Sequence, residues 1–174
     1  MNEKQALESS IISLASGNNE ALSYIYDNLG RLIYSVALGI TERTQDAEDV
    51  LQETMIEVVK YAHSYKIGTN PRAWVLAIAR HNALDIIRRQ KDQISLDDAS
   101  VSDIEYSSSL TELAPDVSAL LAKLDDDEKQ VILLTIYAEL PFSKVAEIME
   151  ISVFAAQKRY QRAIKKLKRI TEVL

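Results

Sequence analysis

The chain has 174 residues, 47% hydrophobic and 26% charged, with no cysteine; this excludes full disorder, a disulfide scaffold, a thiolate metal site and a cysteine nucleophile. The formal charge of −6 is uneven: residues 91–112 carry one basic residue against six acids, whereas residues 152–170 carry seven basic residues and no acid. No apolar run approaches the ~20 residues that cross a bilayer, and MNEKQALESS lacks the pattern of a secretory signal, so a soluble cytoplasmic protein without membrane insertion is expected.

Few glycines and prolines, and apolar residues spaced three and four apart, predict an all-α fold. The first helix covers about residues 2–15 and stops at Ser16-Gly17-Asn18-Asn19. The second runs over about 20–38, with Leu22, Ile25, Tyr26, Leu29, Ile33, Val36 and Ala37 on its buried stripe, and Gly39 ends it. The third starts near 41–45, carries Ala47, Val50, Leu51, Thr54, Met55, Val58 and Val59, and fades at 63–68. Asn70-Pro71 opens the fourth, because an N-cap side chain precedes a proline whose missing N–H costs nothing there. That helix continues to Arg88-Arg89.

Residues 91–112 lose periodicity and fill with Ser, Asp and Glu, which predicts a flexible acidic linker. A short helix near 115–122 follows, then a helix over 126–138 capped by Asp125 and Glu128 that buries Val131, Leu134 and Ile136. A helix over 142–149, a turn, and a last helix from the Ser152 cap to about Thr171 complete a helix-turn-helix. The chain thus reads as two small helical domains, 1–90 and 113–174, joined by the linker.

Three constellations carry the function. On the last helix Val153, Ala156, Tyr160, Ala163 or Ile164, and Leu167 form an inward stripe, while Lys158, Arg159, Arg162, Lys165, Lys166 and Arg169 face outward. Such a face suits a duplex backbone, since each neutralised phosphate releases counterions; a terminal helix with a solvated lysine face is the plainer alternative. On the third helix Asp49, Glu53 and Glu57 share one face at i, i+4 and i+8, a repulsive stack that a basic or amide-bearing partner would relieve. Between them, Tyr61, His63, Tyr65, Asn70 and Trp74 gather beside Arg72, Arg80, Arg88, Arg89 and Lys91, a pattern able to stack and hold unpaired bases. Trp74 alone reads better as a core anchor at helical spacing with Ile78, while the loop aromatics fit either reading. No G-x-S-x-G and no glycine-rich phosphate loop occurs. Neither histidine follows a glutamate at the spacing of a carboxylate metal site. No catalytic residue, metal or cofactor is therefore expected, and the chain is read as a non-enzyme.

In this order the segments resemble bacterial RNA polymerase sigma factors of the extracytoplasmic-function type, in the sigma-70 family. Asp46-Ala47-Glu48-Asp49-Val50-Leu51-Gln52-Glu53 is similar to the family's D-A-E-D-x-x-Q-E signature. The run from Pro71 through Trp74, Ile78, Arg80, Asn82 and Asp85 to Arg88-Arg89 is similar to its W-[LV]-x-x-I-A-R-N-x-x-x-D-x-x-R-R pattern. Residues 124–169 resemble its fourth-domain helix-turn-helix. Four departures are visible: Glu150 stands where the pattern has glycine, Asn82 is displaced by His81, Ala155-Ala156-Gln157-Lys158-Arg159 stands for the usual T-V-K-S-R opening and keeps only its arginine, and Phe154 is an unusually large residue for that edge.

The resemblance implies a specificity subunit of core RNA polymerase that recognises and melts promoter DNA. Asp46, Asp49, Gln52 and Glu53 would dock on the β′ clamp helices. Tyr61, Tyr65, Asn70, Arg80, Asn82, Arg88 and Arg89 would hold the −10 element with a flipped base. Ser152, Ala155, Gln157, Lys158, Arg159 and Arg162 would read the −35 element, next to the β flap. An anti-sigma factor is implied as a further partner. The alternative is an autonomous helix-turn-helix regulator with an N-terminal sensor or dimerisation domain.

Overall fold

The computed structural model describes residues 2–94 and 119–172; the short helix expected near 115–122 and most of the linker fall largely outside them. Helix α1 (Glu3–Ala15) starts from a reciprocal cap in which the Asn2 side chain accepts the Gln5 N–H while Gln5 accepts the Asn2 N–H. Helix α2 (Ala21–Thr41) follows, then α3 (Thr44–Tyr61), a 3-10 turn at Ala62–Ser64, and α4 (Pro71–Ile94). The Asn70 side chain accepts the Ala73 N–H at 3.0 Å, as the Asn-Pro signal requires. Leu7, Ile11, Ile25, Leu29, Ile33 and Val50 are fully buried where these four helices meet.

The second unit comprises α5 (Asp126–Ile132), which passes into a π turn at Leu133–Tyr137, then α6 (Phe142–Met149) and α7 (Val153–Thr171). Glu128 accepts the Asp125 N–H at 3.2 Å, closing the cap predicted for α5. Helix α6 ends in a Schellman turn: Ile151 N–H reaches the Ala146 carbonyl at 3.0 Å and Glu150 N–H the Glu147 carbonyl at 3.3 Å. Glu150 takes the left-handed conformation there, with φ 55°. A side chain thus occupies a backbone state that glycine adopts without strain.

Several expectations are corrected. Gly39 does not end α2; the helix continues to Thr41, and left-handed Glu42 ends it. The reason lies in the other unit, because a Cβ on Gly39 would stand 2.5 Å from Leu133 Cδ1. Tyr26 is not a core residue: it lies against Gly30 with half its surface in solvent. Ile136 is 52% exposed, since the π turn shifts the phase of the helix after Leu134. Val153 is 43% exposed, one turn ahead of Ala156, where α7 first meets the core. Helix α4 runs past residue 90 into the segment read as linker.

The two units pack against each other through α2 and α4 on one side and α5, its π turn and α6 on the other. Leu133 fills the space over Gly39, and Lys129 Nζ donates to Glu42 at 2.7 Å. Arg72 donates to the Ala138 carbonyl at 3.0 Å and also pairs with Glu3. Arg80 donates to both Gln130 and the Ile148 carbonyl.

Candidate nucleic-acid interface and acidic docking face

Helix α3 turns Ala47, Val50, Thr54 and Val58 into the core, and its period then fixes the opposite face. Asp49, Gln52 and Glu53 stand exposed on that face, and among the described residues they make no hydrogen bond or ion pair. Their carboxylates form a free anionic shelf. Glu57, one turn further, is half-buried. Asp46 does not join them: at 9% exposure it is buried, accepts from Gln90 at 2.9 Å and pairs with Arg43 at 3.6 Å. It ties the start of α3 to the end of α4, which is a folding role.

Beside the shelf, α2 and α3 leave an open groove of about 1570 Å³. Tyr26, Tyr34, Leu51, Gln52, Met55 and Ile56 are among its walls. The sequence reading missed this groove because it sent Tyr26 inward. A usable signal was Ile56, an apolar residue at i+4 from Gln52 on an otherwise polar face, and it is exposed.

The residues expected at the single-strand surface divide in two. Tyr61, Arg88 and Arg89 are exposed; Arg88 pairs with Asp85 at 2.8 Å, and Asp85 also meets His81 at 3.3 Å. Tyr65, Arg80 and Asn82 are not presented to solvent as a base-holding surface. Tyr65 is only 8% exposed; its ring meets Trp74 edge-on at 5.4 Å and its hydroxyl donates to Glu8 at 2.9 Å. Burial raises the Tyr65 pKa, and the Glu8 carboxylate adds to that. The same carboxylate accepts the Gly68 N–H, and this bond, with the Tyr65 hydroxyl, lowers the Glu8 pKa. One side chain of α1 thus pins the loop between α3 and α4. Asn82 is buried with its amide 3.5 Å from the Thr54 hydroxyl, and Arg80 is taken up by the second unit. Burial lowers the Arg80 pKa, while Glu150 and Asp127 hold it up.

On α7, Ser152 accepts the Ala155 N–H at 3.0 Å, so the predicted cap is present. Gln157, Lys158 and Arg162 are exposed and Ala155 half-buried. Two residues read as outward face α5 instead: Arg159 pairs with Asp127 at 3.0 Å, and Lys166 meets Asp125 at 2.8 Å and Glu128 at 2.7 Å. Those bonds raise the Lys166 pKa and lower that of Asp125. The acidic start of α5 therefore absorbs part of the α7 charge, leaving Lys158, Arg162, Lys165, Lys168 and Arg169 on the outer side. No helix of the described residues is long and apolar enough to cross a membrane.

Comparison with known proteins matches both units. A family model described as Sigma-70 region 2 matches residues 25–93, and one described as Sigma-70, region 4 matches residues 120–169. ECF RNA polymerase sigma factor SigW of Bacillus subtilis (strain 168) is 26% identical over 175 residues, covering 91% of this chain and 93% of its own. SigX of the same organism is 26% identical over 166 residues, covering 89% and 86%. The fold resembles that of CnrH in complex with the cytosolic domain of CnrY, with TM-score 0.73 at 24% identity over 97% of this chain and 98% of that one. It also resembles the sigma factor RpoE in complex with the anti-sigma factor NepR from Bartonella quintana, with TM-score 0.69 at 20% identity over 87% and 98%. With a region 2 match on the four-helix unit and a region 4 match on the helix-turn-helix, the chain belongs to the sigma-70 family and is a sigma factor of the extracytoplasmic-function type, acting in transcription initiation.

Proposed function

We propose that Asp49, Gln52 and Glu53 dock this sigma factor on the clamp helices of the polymerase β′ subunit, with the apolar groove beside them completing the contact. The observation that carries this reading is the free shelf itself: three polar side chains in register, exposed and without an internal partner, whose repulsion a basic partner relieves. The unit of residues 1–90 then presents Tyr61, Asn70, Arg88 and Arg89 to the melted −10 strand, and Tyr65 and Asn82 support that surface from beneath. Arg80 joins it once the second unit moves away. The unit of residues 113–174 meets the β flap and reads the −35 duplex with the first turns of α7. Tethering makes the second promoter contact effectively intramolecular, so each can be modest. Capture of an unstacked base drives melting, and no catalytic step belongs to the chain. Action in the cytoplasm and control by an anti-sigma partner complete the reading; the solved neighbour RpoE is in complex with the anti-sigma factor NepR, and CnrH with the cytosolic domain of CnrY.

The test is run-off transcription with reconstituted core polymerase over a promoter library, comparing the natural chain with Asp49→Lys/Glu53→Lys. Charge reversal places like charges at the docked surface, and core binding is expected to fall at least ~10-fold. Both positions are exposed and unpaired, so folding stability should stay within about 0.5 kcal/mol. Unchanged core binding would remove the shelf from the function. Tight operator binding by the free chain would favour an autonomous regulator.

A further inference from the structure

Helix α7 opens with an aromatic residue turned away from the core. Ala156 and Ala163 are fully buried and the Tyr160 ring packs edge-on against Phe142 at 5.3 Å, which fixes the rotation of the helix. That rotation turns Phe154 outward, 67% exposed, with Val153 beside it at 43%. One turn on, Lys158 Nζ lies 5.3 Å from the centre of the Phe154 ring. Gln157 and Arg162 are exposed on the same end of the helix, and residues 152–170 contain no acid. An uncovered aromatic ring inside a cationic surface is a poor protein-core element but a fitting groove reader. The first turn of a recognition helix is the part that approaches base edges, and the thymine C5-methyl is the apolar group those edges present in the major groove.

We propose that Phe154, with Val153, reads thymine methyl groups in the duplex contacted by α7, and so sets part of the −35 sequence preference. This rests on the reading of α7 as the −35 helix. The Lys158 ammonium over the ring orients it and reaches for the flanking phosphate. Phe154 is thus a specificity-determining residue, whereas Arg162 supplies sequence-independent attraction to the backbone.

The experiment uses the full chain with core polymerase on the promoter selected from a library. Thymines of the upstream element are replaced singly by deoxyuridine, which removes only the methyl group. For the natural chain, replacement at the contacted position is expected to weaken promoter binding about 4-fold, the value of one buried methyl-sized group. Phe154→Ala should be indifferent to that replacement while keeping its helix content and core binding, and Phe154→Leu should recover part of the discrimination. Arg162→Ala should keep the methyl sensitivity but show a shallower salt dependence. Indifference of the natural chain to every deoxyuridine overturns the proposal and leaves the −35 role of α7 standing. Loss of core binding in Phe154→Ala also overturns it, by assigning the ring to a protein surface. Full promoter activity in Arg159→Ala/Arg162→Ala would instead remove the underlying reading of α7.

Discussion

Arg80 Nε donates to Gln130 Oε1 at 2.8 Å, and its Nη1 donates to the Ile148 carbonyl at 3.0 Å. A cation of the proposed −10 surface is thereby satisfied by the helix-turn-helix unit instead of by DNA. If Arg80 belongs to that surface as proposed, the packed form and the promoter-bound form compete for the same guanidinium. Charged hydrogen bonds of this kind contribute ~1.5–3 kcal/mol each, enough for the contact to bias the equilibrium without locking it.

Gly39→Val tests that competition without touching Arg80. The new Cβ would stand 2.5 Å from Leu133 Cδ1, and forced overpacking costs ~1–3 kcal/mol. Here it can be relieved by separating the units. Helix content should therefore persist while small-angle scattering shows a larger radius of gyration, and promoter complexes should form faster with core polymerase. An unchanged radius would mean that Leu133 repacks within the closed form.

The same glycine shows what the sequence could and could not say. Local signals were legible: the Asn70-Pro71 start, the Ser152 cap and the bounds of α6 depend on residues within one turn of each other. Gly39 was read as a helix stop because its reason is Leu133, 94 positions away in the chain. Asp46, Tyr65 and Asn82 were read as surface residues from their motif positions, yet each is turned inward by a partner on another helix: Gln90, Glu8 and Thr54. Arg159 and Lys166 were assigned outward by periodicity alone, and the acidic start of α5 claims both. The face of α3 that bears Asp49, Gln52 and Glu53 was legible because nothing in the fold competes for it.

Tyr65 and Tyr61 should separate cleanly as variants. Tyr65→Ala removes a buried ring from its edge contact with Trp74 and should cost about 3–5 kcal/mol, as for other large aromatic deletions. Tyr65→Phe keeps the ring and loses the hydroxyl bond to Glu8, so it should destabilise far less. Tyr61 is exposed, so Tyr61→Ala should leave thermal unfolding nearly unchanged while slowing promoter opening, read by permanganate reactivity of the melted strand. A large drop in melting temperature for Tyr61→Ala would place that ring in the core instead.

The Glu8 anchor predicts a dependence on pH with a definite sign. Its folded-state pKa is lowered by the Gly68 N–H and the Tyr65 hydroxyl. The anchoring is therefore fully present above the unfolded glutamate value of about 4.3, and it is lost as pH falls through the lowered folded value. Amide protection factors over residues 65–69, corrected for the intrinsic pH dependence of exchange, should hold at neutral pH and fall only in that acid window. Glu8→Gln, which lacks the charge, should show faster exchange already at neutral pH. Equal protection in the natural chain and in Glu8→Gln at pH 7 would show that the loop is held by other contacts.

Glu150 carries two opposed effects, and substituting it by glycine should reveal both. At φ 55° its backbone occupies the left-handed region, which costs an ordinary residue roughly 1–2 kcal/mol, so Glu150→Gly should stabilise the α6–α7 turn by about 1 kcal/mol. The same change removes a carboxylate that helps hold the Arg80 charge, loosening the contact between the units. The helix-turn-helix should then melt at a higher temperature while the radius of gyration grows. Glu150→Asn tolerates the left-handed backbone but also lacks the charge, so it should open the units with less gain in melting temperature. If both variants stay as closed as the natural chain, Glu150 acts on the turn alone and Gln130 with Ile148 suffices to hold Arg80.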